Sequence, residues 1–320
     1  MENRLLRTKR FRWSAAMVAV LGALAAPAAA QAAKLPTVAT GGAREVSYGS
    51  ATLTGSVDPS GSNTSYYFQY GLTKTYGGQT PIADAGAGTR TVSVSAPITG
   101  LQPLTVYHFR LVAVNGTGAS IGRDRVFLTT KVPLSLQILA APNPVLFGGN
   151  VTVQGTLSGT ENANRAVVLQ ASQFPFTAGF QNVANPELTT ATGSFSFPIL
   201  GMTLTTQFRV ATTTSKPVVS PVAFENVAVR VASHVGHVRR PHFARIFGTV
   251  APAVDGMQVA ILRITHGRGV LVSGTVLRHR NATSSQFSRV VPVTRGVYRV
   301  LVRVINGAQV SNYGQPLVIR

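Results

Sequence analysis

The sequence contains no cysteine, a single tryptophan and few acidic residues. Nine Asp and Glu stand against 29 Lys and Arg among its 320 residues, which gives a formal net charge of +20. The lack of cysteine excludes disulfide bonds, thiolate catalysis and cysteine metal ligands. Small exported domains often depend on disulfides, so core packing alone has to hold such a fold together here.

The shortage of acids also restricts catalytic chemistry. Eight acidic residues follow Glu2, and they are spread along the chain: Glu45, Asp58, Asp84, Asp124, Glu161, Glu187, Glu225 and Asp255. Glycoside hydrolysis needs two carboxylates held about 5 to 9 Å apart. A Ser-His-Asp set stays open, because triads assemble from distant residues, but no G-x-S-x-G elbow and no phosphate loop is present. We predict no catalytic residues and no cofactor, and keep an enzyme of unknown class as the third alternative.

Three of the six histidines lie close together, in the segment HVGHVRRPH at 234–242. Three imidazoles within nine residues suggest zinc, but this spacing is not a known ligand pattern. No carboxylate nearby could orient the rings, and Arg239 and Arg240 would repel a cation. We therefore predict no metal site, and interpret SHVGHVRRP as a solvated, basic connector between domains.

The N-terminus has the pattern of a secretory signal peptide over residues 1–33. A basic segment with five Arg and Lys precedes an alanine-rich apolar stretch, Pro27 and the cleavage-type sequence Ala30-Gln31-Ala32. The alternative is a retained membrane anchor. Cleavage would remove the only tryptophan, Trp13. Since no later stretch is long enough to span a bilayer, we predict a secreted, extracellular protein without a transmembrane span, and consider association with the cell surface.

Residues 37–320 alternate between apolar and polar side chains in short segments separated by turn residues, which is typical of β-sandwiches. We predict an all-β chain of tandem sandwiches over 37–131, 133–232 and 233–320, with KVPL (131–134) as the first connector. A weak repeat supports the last two, because 149–172 parallels 242–265 and 205–213 parallels 296–304. No alternation of strands and helices is present, which argues against a nucleotide-binding α/β sheet.

The segment GLQPLTVYHFRLVAVNGTG (100–118), with ATLTGSVDP, SYYFQYG and RVFLTT, resembles the fibronectin type III family over residues 37–131. The resemblance implies that Tyr107 is a tyrosine corner, a structural residue whose hydroxyl bonds upstream backbone. One position departs from the family, which usually has a tryptophan two residues after the leucine of the second strand. Here Leu53 is followed by Gly55, and Tyr66, Phe68 and Tyr70 are expected to fill the core instead. The two later segments resemble bacterial extracellular Ig-like modules.

The positive charge is concentrated at the C-terminal end. Residues 233–320 hold twelve arginines and one acid, a net charge of +11, against +4 for 34–131 and +1 for 132–232. The alternation of VYRVLVRV places Arg299 and Arg303 on one face. The candidate anion-binding residues are Arg239, Arg240, Arg245, Arg278, Arg280, Arg299 and Arg303.

We predict a secreted, non-enzymatic binding or spacer protein of the bacterial envelope that these arginines hold on an anionic cell-wall polymer or polysaccharide. Anionic lipid headgroups and extracellular DNA are further possible partners. Sequence-specific nucleic-acid recognition is not predicted, because no recognition helix or zinc finger is visible. The alternative that these arginines only make the surface soluble stays open. The alternative function is a carbohydrate-binding accessory protein that uses the loop aromatics Tyr70, Tyr76, Phe174, Phe176 and Phe180, although the mature chain would lack the tryptophan that favours sugar stacking.

Overall fold

The computed structural model describes residues 34–320, and the predicted signal peptide lies outside them. Every regular element between 34 and 320 is a β-strand, which confirms the all-β prediction. No helix in this range is long and apolar enough to cross a membrane. The chain divides into two compact units, one formed by 34–44, 52–98 and 107–127, and the other by 45–51, 99–106 and 128–320.

Strands between 37 and 128 form the first sandwich. They are β1 (Thr37–Arg44), β2 (Ser50–Asp58), β3 (Thr64–Gly71), β4 (Gly78–Gln79), β5 (Ala83–Gly86), β6 (Val92–Thr99), β7 (Val106–Asn115), β8 (Gly118–Ile121) and β9 (Arg125–Leu128). One sheet has the order β1-β2-β6; the other has β4-β3-β7-β8, with β5 on β3 and β9 on β7. Phe68 and Leu111 are fully buried. A Cβ at Gly55 would stand 2.7 Å from the Leu111 side chain and 2.8 Å from the Ala39 carbonyl oxygen, so this position has no room for a side chain.

Strands between 135 and 228 form the second sandwich. They are β10 (Ser135–Ala141), β11 (Val145–Leu146), β12 (Gly149–Ser158), β13 (Ala166–Gln173), β14 (Gln181–Asn182), β15 (Glu187–Leu188), β16 (Ser194–Met202), β17 (Thr206–Thr212), β18 (Ala223–Glu225) and β19 (Val227–Ala228). The sheet β10-β12-β16 lies over β14-β13-β17-β18, with β15 on β13, while β11 pairs in parallel with β19. A single apolar cluster, which includes Val153, Leu169 and Phe197, fills the space between the sheets.

Strands from residue 230 onward form the third sandwich. They are β20 (Arg230–His237), β21 (Phe243–Ala251), β22 (Gln258–Thr265), β23 (Arg268–Val276), β24 (Arg278–Asn281), β25 (Ser284–Pro292), β26 (Gly296–Arg303), β27 (Asn312–Tyr313) and β28 (Leu317–Ile319). The sheets have the orders β20-β21-β25-β24 and β23-β22-β26-β27, with β28 on β26. Ile246, Ile261 and Tyr298 belong to the core between them.

Strands β12 and β21 of the two later sandwiches each contain a glycine for the same steric reason. A Cβ at Gly155 would stand 2.6 Å from the ring of Phe195, and one at Gly248 would stand 2.8 Å from the ring of Phe287. Each phenylalanine is the cross-strand partner of its glycine. The ring covers the bare backbone, which offsets the packing that a strand glycine otherwise loses.

The predicted connector at 233–241 is not a linker. Residues 230–237 are the edge strand β20, paired with β21 from Arg230 opposite Ala251 to His237 opposite Ala244. Only 238–242 lie outside a strand, as the turn of the resulting hairpin. The polar residues of this segment suggested a solvated linker, but an edge strand with solvent on its outer face contains the same residues.

The second and third sandwiches meet through main-chain hydrogen bonds. Val310 donates to the carbonyl of Val227 at 2.8 Å, and Thr205 donates to that of Ala308 at 2.9 Å. Gly307 comes directly before Ala308 and has φ +77°, and a Cβ there would stand 2.6 Å from the ring of Phe174. Since each bond fixes backbone to backbone, this junction restricts movement of one sandwich against the other.

Candidate anion-binding surface

The arginines of residues 233–320 have no acidic partners in the structure. The only acid of this segment, Asp255, accepts hydrogen bonds from His279 and Ser285. Across 34–320, the ion pairs involve His108, Lys131, Arg165 and His279, and none of the twelve C-terminal arginines. Their charge is therefore uncompensated within the described chain.

The structure places the seven predicted arginines in three groups. Arg239, Arg240 and Arg245 lie in the β20–β21 hairpin and on the adjoining outer face, where two of them stack on Phe243 and Phe247. The remaining arginines form a pair on the edge strand β24 and a pair on β26: Arg278 with Arg280, and Arg299 with Arg303.

The outer faces of the two sheets point away from each other, so these groups do not form one continuous patch. Arg278 and Arg280 are both exposed on β24, where the pairing with β25 is irregular between His279 and Asn281, and their predicted placement on one side stays a prediction. Arg299 is held in place, because its guanidinium lies 4.7 Å from the ring centre of Tyr313 and donates to the carbonyl of Gly314 at 3.3 Å. Arg303 is exposed, and its side chain makes no hydrogen bond to the described residues, although its backbone pairs with Gln258.

Arg299 has counterparts in the other two sandwiches. Arg110 donates from Nε to Gln69 at 2.8 Å and lies 4.5 Å from the ring centre of Tyr76. Arg209 donates from Nε to Gln170 at 2.8 Å and lies 4.2 Å from the ring centre of Phe180. Each arginine thus stands between a glutamine on the adjacent strand and an aromatic ring.

This repeated arrangement escaped the sequence interpretation. Its signal is an aromatic residue followed by arginine, which occurs as Phe-Arg at 109–110 and 208–209 and as Tyr-Arg at 298–299. The aromatic residue enters the core while the arginine faces outward, as strand alternation requires. The third sandwich differs in one respect, since Leu262 rather than a glutamine is the strand partner of its arginine.

Two carboxylates bind a histidine and a hydroxyl at the same time. Asp124 accepts from the Tyr76 hydroxyl at 2.9 Å and contacts His108 Nδ1 at 2.8 Å. Burial opposes ionisation of Asp124, yet the hydrogen bonds from His108 and Tyr76 outweigh it and lower the carboxyl pKa. Burial, and then the hydrogen bond to Asp124, raises the pKa of Tyr76.

The second such carboxylate, that of Asp255, contacts both a serine and a histidine, the other two residue types of a Ser-His-Asp triad. Asp255 contacts His279 Nδ1 at 3.0 Å and accepts the hydroxyl of Ser285, and the bond from Ser285, followed by that from His279, lowers the pKa of Asp255. A catalytic relay needs the hydroxyl bound to the imidazole. Here the carboxylate lies between them, and Ser285 is fully buried while its Oγ accepts the Val254 amide at 2.8 Å. This is the geometry of a structural clamp.

Tyr107 is a core residue, with its ring stacked on Phe127 at 5.7 Å between centres. Its role as a tyrosine corner stays a prediction. Tyr298 of the third sandwich shows the hydrogen bonds of such a corner, because its buried hydroxyl accepts the Thr294 amide at 2.9 Å and donates to the Thr294 carbonyl at 3.2 Å. The sequence repeat pairs Tyr298 with Phe208 and gives no sign of this role.

The aromatic residues considered for sugar stacking are mostly engaged by protein groups. Arg110 lies over Tyr76 and Arg209 over Phe180. Phe174 and Phe176 contact each other edge to face at 5.7 Å between ring centres, and Tyr70 is partly buried.

The three histidines of 234–242 do not meet at one point. His234 lies 5.7 Å from the ring of Phe247 on the outer face of its sheet. His237 points to the opposite side of the same strand, where it lines a cavity together with His242. No group of three or more His, Asp or Glu suited to a metal ion occurs in the described range.

The chain matches no family model and none of the curated proteins. Its structural neighbours are fibronectin type III and Ig-like proteins. The chicken CNTN1 FN1–FN3 domains are 18% identical, with 88% of this chain and 96% of that one covered and a TM-score of 0.28. A tetra-tandem repeat from the extending region of a large adhesion protein is 16% identical, with 89% and 74% covered and a TM-score of 0.27. Bovine butyrophilin is 11% identical, with 59% and 99% covered and a TM-score of 0.35. These likenesses concern the fold alone.

Proposed function

We propose that this is a secreted, non-enzymatic binding or spacer protein of the bacterial envelope, which its third sandwich holds on anionic polymers. The three groups of paired strands act as three domains close to the predicted 37–131, 133–232 and 233–320. The leader-like residues 1–33 direct export. The partners are phosphate-bearing wall polymers or acidic polysaccharides.

The observation that carries this proposal is the set of twelve arginines without acidic partners. A guanidinium remains charged at every physiological pH and fits phosphate and carboxylate groups in a bidentate manner. A surface with this charge and no internal counter-ions attracts polyanions over about one Debye length, roughly 8 to 10 Å in physiological salt. The distribution over both outer faces and the β24 edge suits a flexible polymer that wraps the domain better than one small ligand.

The two clamps support a non-enzymatic role. The carboxylates of Asp124 and Asp255 each bind both a histidine and a hydroxyl. These contacts stabilise loops and do not activate a nucleophile. Asp124 connects the loop containing Tyr76 to β7, and Asp255 connects the β21–β22 loop to β24 and β25.

Binding to long-chain polyphosphate as a function of salt tests the proposal. We expect affinity to fall steeply with ionic strength, and the slope to decrease by roughly one for each phosphate that a variant no longer binds. The double variant Arg278→Gln/Arg280→Gln should weaken binding and lower the slope. The matched control is Arg123→Gln/Arg125→Gln, which makes the same charge change on exposed residues of the first sandwich. Equal losses of affinity in both variants would show that only net charge matters, and would contradict retention by the third sandwich.

One observation favours carbohydrate binding as the second candidate. An open groove of about 770 Å³ on the second sandwich has a mixed lining, in which polar side chains such as Gln137, Gln154 and Glu187 stand beside the apolar Leu139 and Leu188. Binding of neutral oligosaccharide that persists in high salt and is lost on Gln154→Ala would favour this function over polyanion retention.

A further inference from the structure

The outer face of the sheet β23-β22-β26 is unusually apolar for a solvent-facing surface. Alternation and cross-strand register place three rows on it. From one end to the other they are Val276, Gln258 and Arg303; Gly274, Ala260 and Leu301; and Leu271, Leu262 and Arg299. Leu271 is 65% exposed and Val276 48% exposed, although both belong to a well-paired strand.

The corresponding faces of the other two sandwiches provide an internal comparison. There, Gln69 and Gln170 stand beside the central arginine and give the face a polar centre. In the third sandwich Leu262 takes that place, and Arg299 turns to Tyr313 and the Gly314 carbonyl instead. The difference leaves the three rows largely aliphatic, with Gln258, Arg299 and Arg303 as their polar side chains.

This face contains a notch next to Arg303. It has a volume of about 360 Å³, and its lining includes Ala260, Gly274, Leu271, Val276 and Arg303. The two small residues form its floor, and a Cβ at Gly274 would meet nothing closer than the Val259 carbonyl oxygen at 3.7 Å. Leu271 and Val276 form the apolar walls on the same strand, while the guanidinium of Arg303 has no partner in the described chain.

We infer that this notch binds a single aliphatic chain that carries an anionic head group, with the chain over Ala260 and Gly274 and the head on Arg303. The inference rests on the proposed function for the anionic nature of the partner, and adds that the partner is an amphiphile. Gln258 and Thr275 also line the notch, so the guanidinium of Arg303 is its one charged group among a few polar ones. A pocket of a few hundred Å³ with mainly apolar walls and a few polar groups is the usual form of a small-molecule site.

Two other occupants fit the same face less well. A second copy of the chain would bring Arg299 and Arg303 of both copies together without an acid between them, which like-charge repulsion disfavours. A flat bilayer surface would require apolar side chains that protrude, whereas the floor at Gly274 is concave between Leu271 and Val276.

Isothermal titration with three probes tests the inference in the intact protein. Dodecanoate, kept below its micelle concentration, has both chain and charge; dodecyl maltoside has the chain alone; long-chain polyphosphate has charge alone. We expect saturable dodecanoate binding that is about tenfold or more tighter than that of dodecyl maltoside, since the neutral probe cannot form the charge-assisted hydrogen bond to Arg303.

Variants locate the site. Gly274→Val fills the floor and Arg303→Gln removes the charge that holds the head group, and each should weaken dodecanoate binding about tenfold or more. The matched controls are Gly236→Val, on the outer face of the other sheet, and Arg268→Gln, at the far end of β23. Each should change the affinity for dodecanoate by no more than about twofold. Leu271→Ser at an exposed wall gives a second test if Gly274→Val does not fold, as judged by circular dichroism.

The outcomes separate the two proposals. Polyphosphate binding with no saturable dodecanoate binding overturns the notch and leaves the proposed function standing. Dodecanoate binding without any polyphosphate binding supports the notch and contradicts retention on polymers. Binding to phosphatidylglycerol vesicles but not to monomeric dodecanoate, or concentration-dependent dimerisation that Leu271→Ser abolishes, identifies one of the other occupants and overturns the inference.

Discussion

Glu225 makes the stability of the second sandwich dependent on pH. This residue ends β18 and is fully buried, yet none of the ion pairs among residues 34–320 involves it. Its Oε1 accepts the Val145 amide at 3.2 Å, while its Oε2 has no hydrogen-bond partner among residues 34–320. Burial raises the pKa of this carboxyl from 4.5 to about 7, against the smaller opposing effect of the Val145 bond.

The sign and size of the effect follow from proton linkage. Below pH 4.5 the carboxyl is protonated in both states and has no effect on unfolding. Between 4.5 and 7 only the unfolded chain releases the proton, so stability decreases as the pH rises, and above 7 the loss is complete. The difference between the two pKa values corresponds to about 3 kcal/mol.

Glu225→Gln removes the titration and preserves the shape of the side chain. As the pH rises from 4.5 to 8, the free energy of unfolding of the variant should increase by about 3 kcal/mol relative to that of the natural chain. The measurement is urea unfolding followed by circular dichroism at several pH values, taking the transition that contains the second sandwich. Glu187→Gln, at an exposed carboxylate of the same sandwich, is the matched control and should follow the natural chain. Parallel pH profiles for Glu225→Gln and the natural chain would refute the reasoning.

Four further substitutions test the packing. Tyr107→Phe should lower the free energy of unfolding by about 0.5 to 1.5 kcal/mol and leave polyphosphate binding unchanged, and a loss of binding without a loss of stability would reverse the structural assignment. Tyr298→Phe should cost more, about 1 to 3 kcal/mol in urea unfolding, because it removes both hydrogen bonds between the tyrosine hydroxyl and the main chain of Thr294; a cost below that of Tyr107→Phe would contradict this. Gly307→Ala should increase proteolysis at the junction, since its φ and the nearby Phe174 ring both oppose a Cβ, and unchanged digestion would argue against a fixed junction. The natural chain should lose stability as the pH falls through the lowered pKa of Asp124, and Asp124→Asn should lack this pH-dependent contribution. Identical acid unfolding profiles of the two chains would show that the clamp contributes nothing to stability.

The alternation of side chains determined the fold class without reference to any contact. In VYHFRLVAV, Phe109 and Leu111 occupy alternate positions and both are fully buried, because successive side chains of a strand point to opposite faces. The same reasoning put Arg299 and Arg303 on one outer face. At 233–241 the alternation of polar and apolar residues is less regular, and there the same reasoning wrongly predicted a connector in place of an edge strand.

Pairings between distant residues were beyond the reach of sequence. Asp124 is 48 residues from Tyr76, and Glu225 is 80 residues from Val145, so neither pairing leaves a local pattern. The notch in the third sandwich likewise depends on β22, β23 and β26 lying side by side. Periodicity reports which face a side chain occupies, since that is set by the strand itself. Register and sheet order decide what lies next to it, and these exist only after the chain has folded.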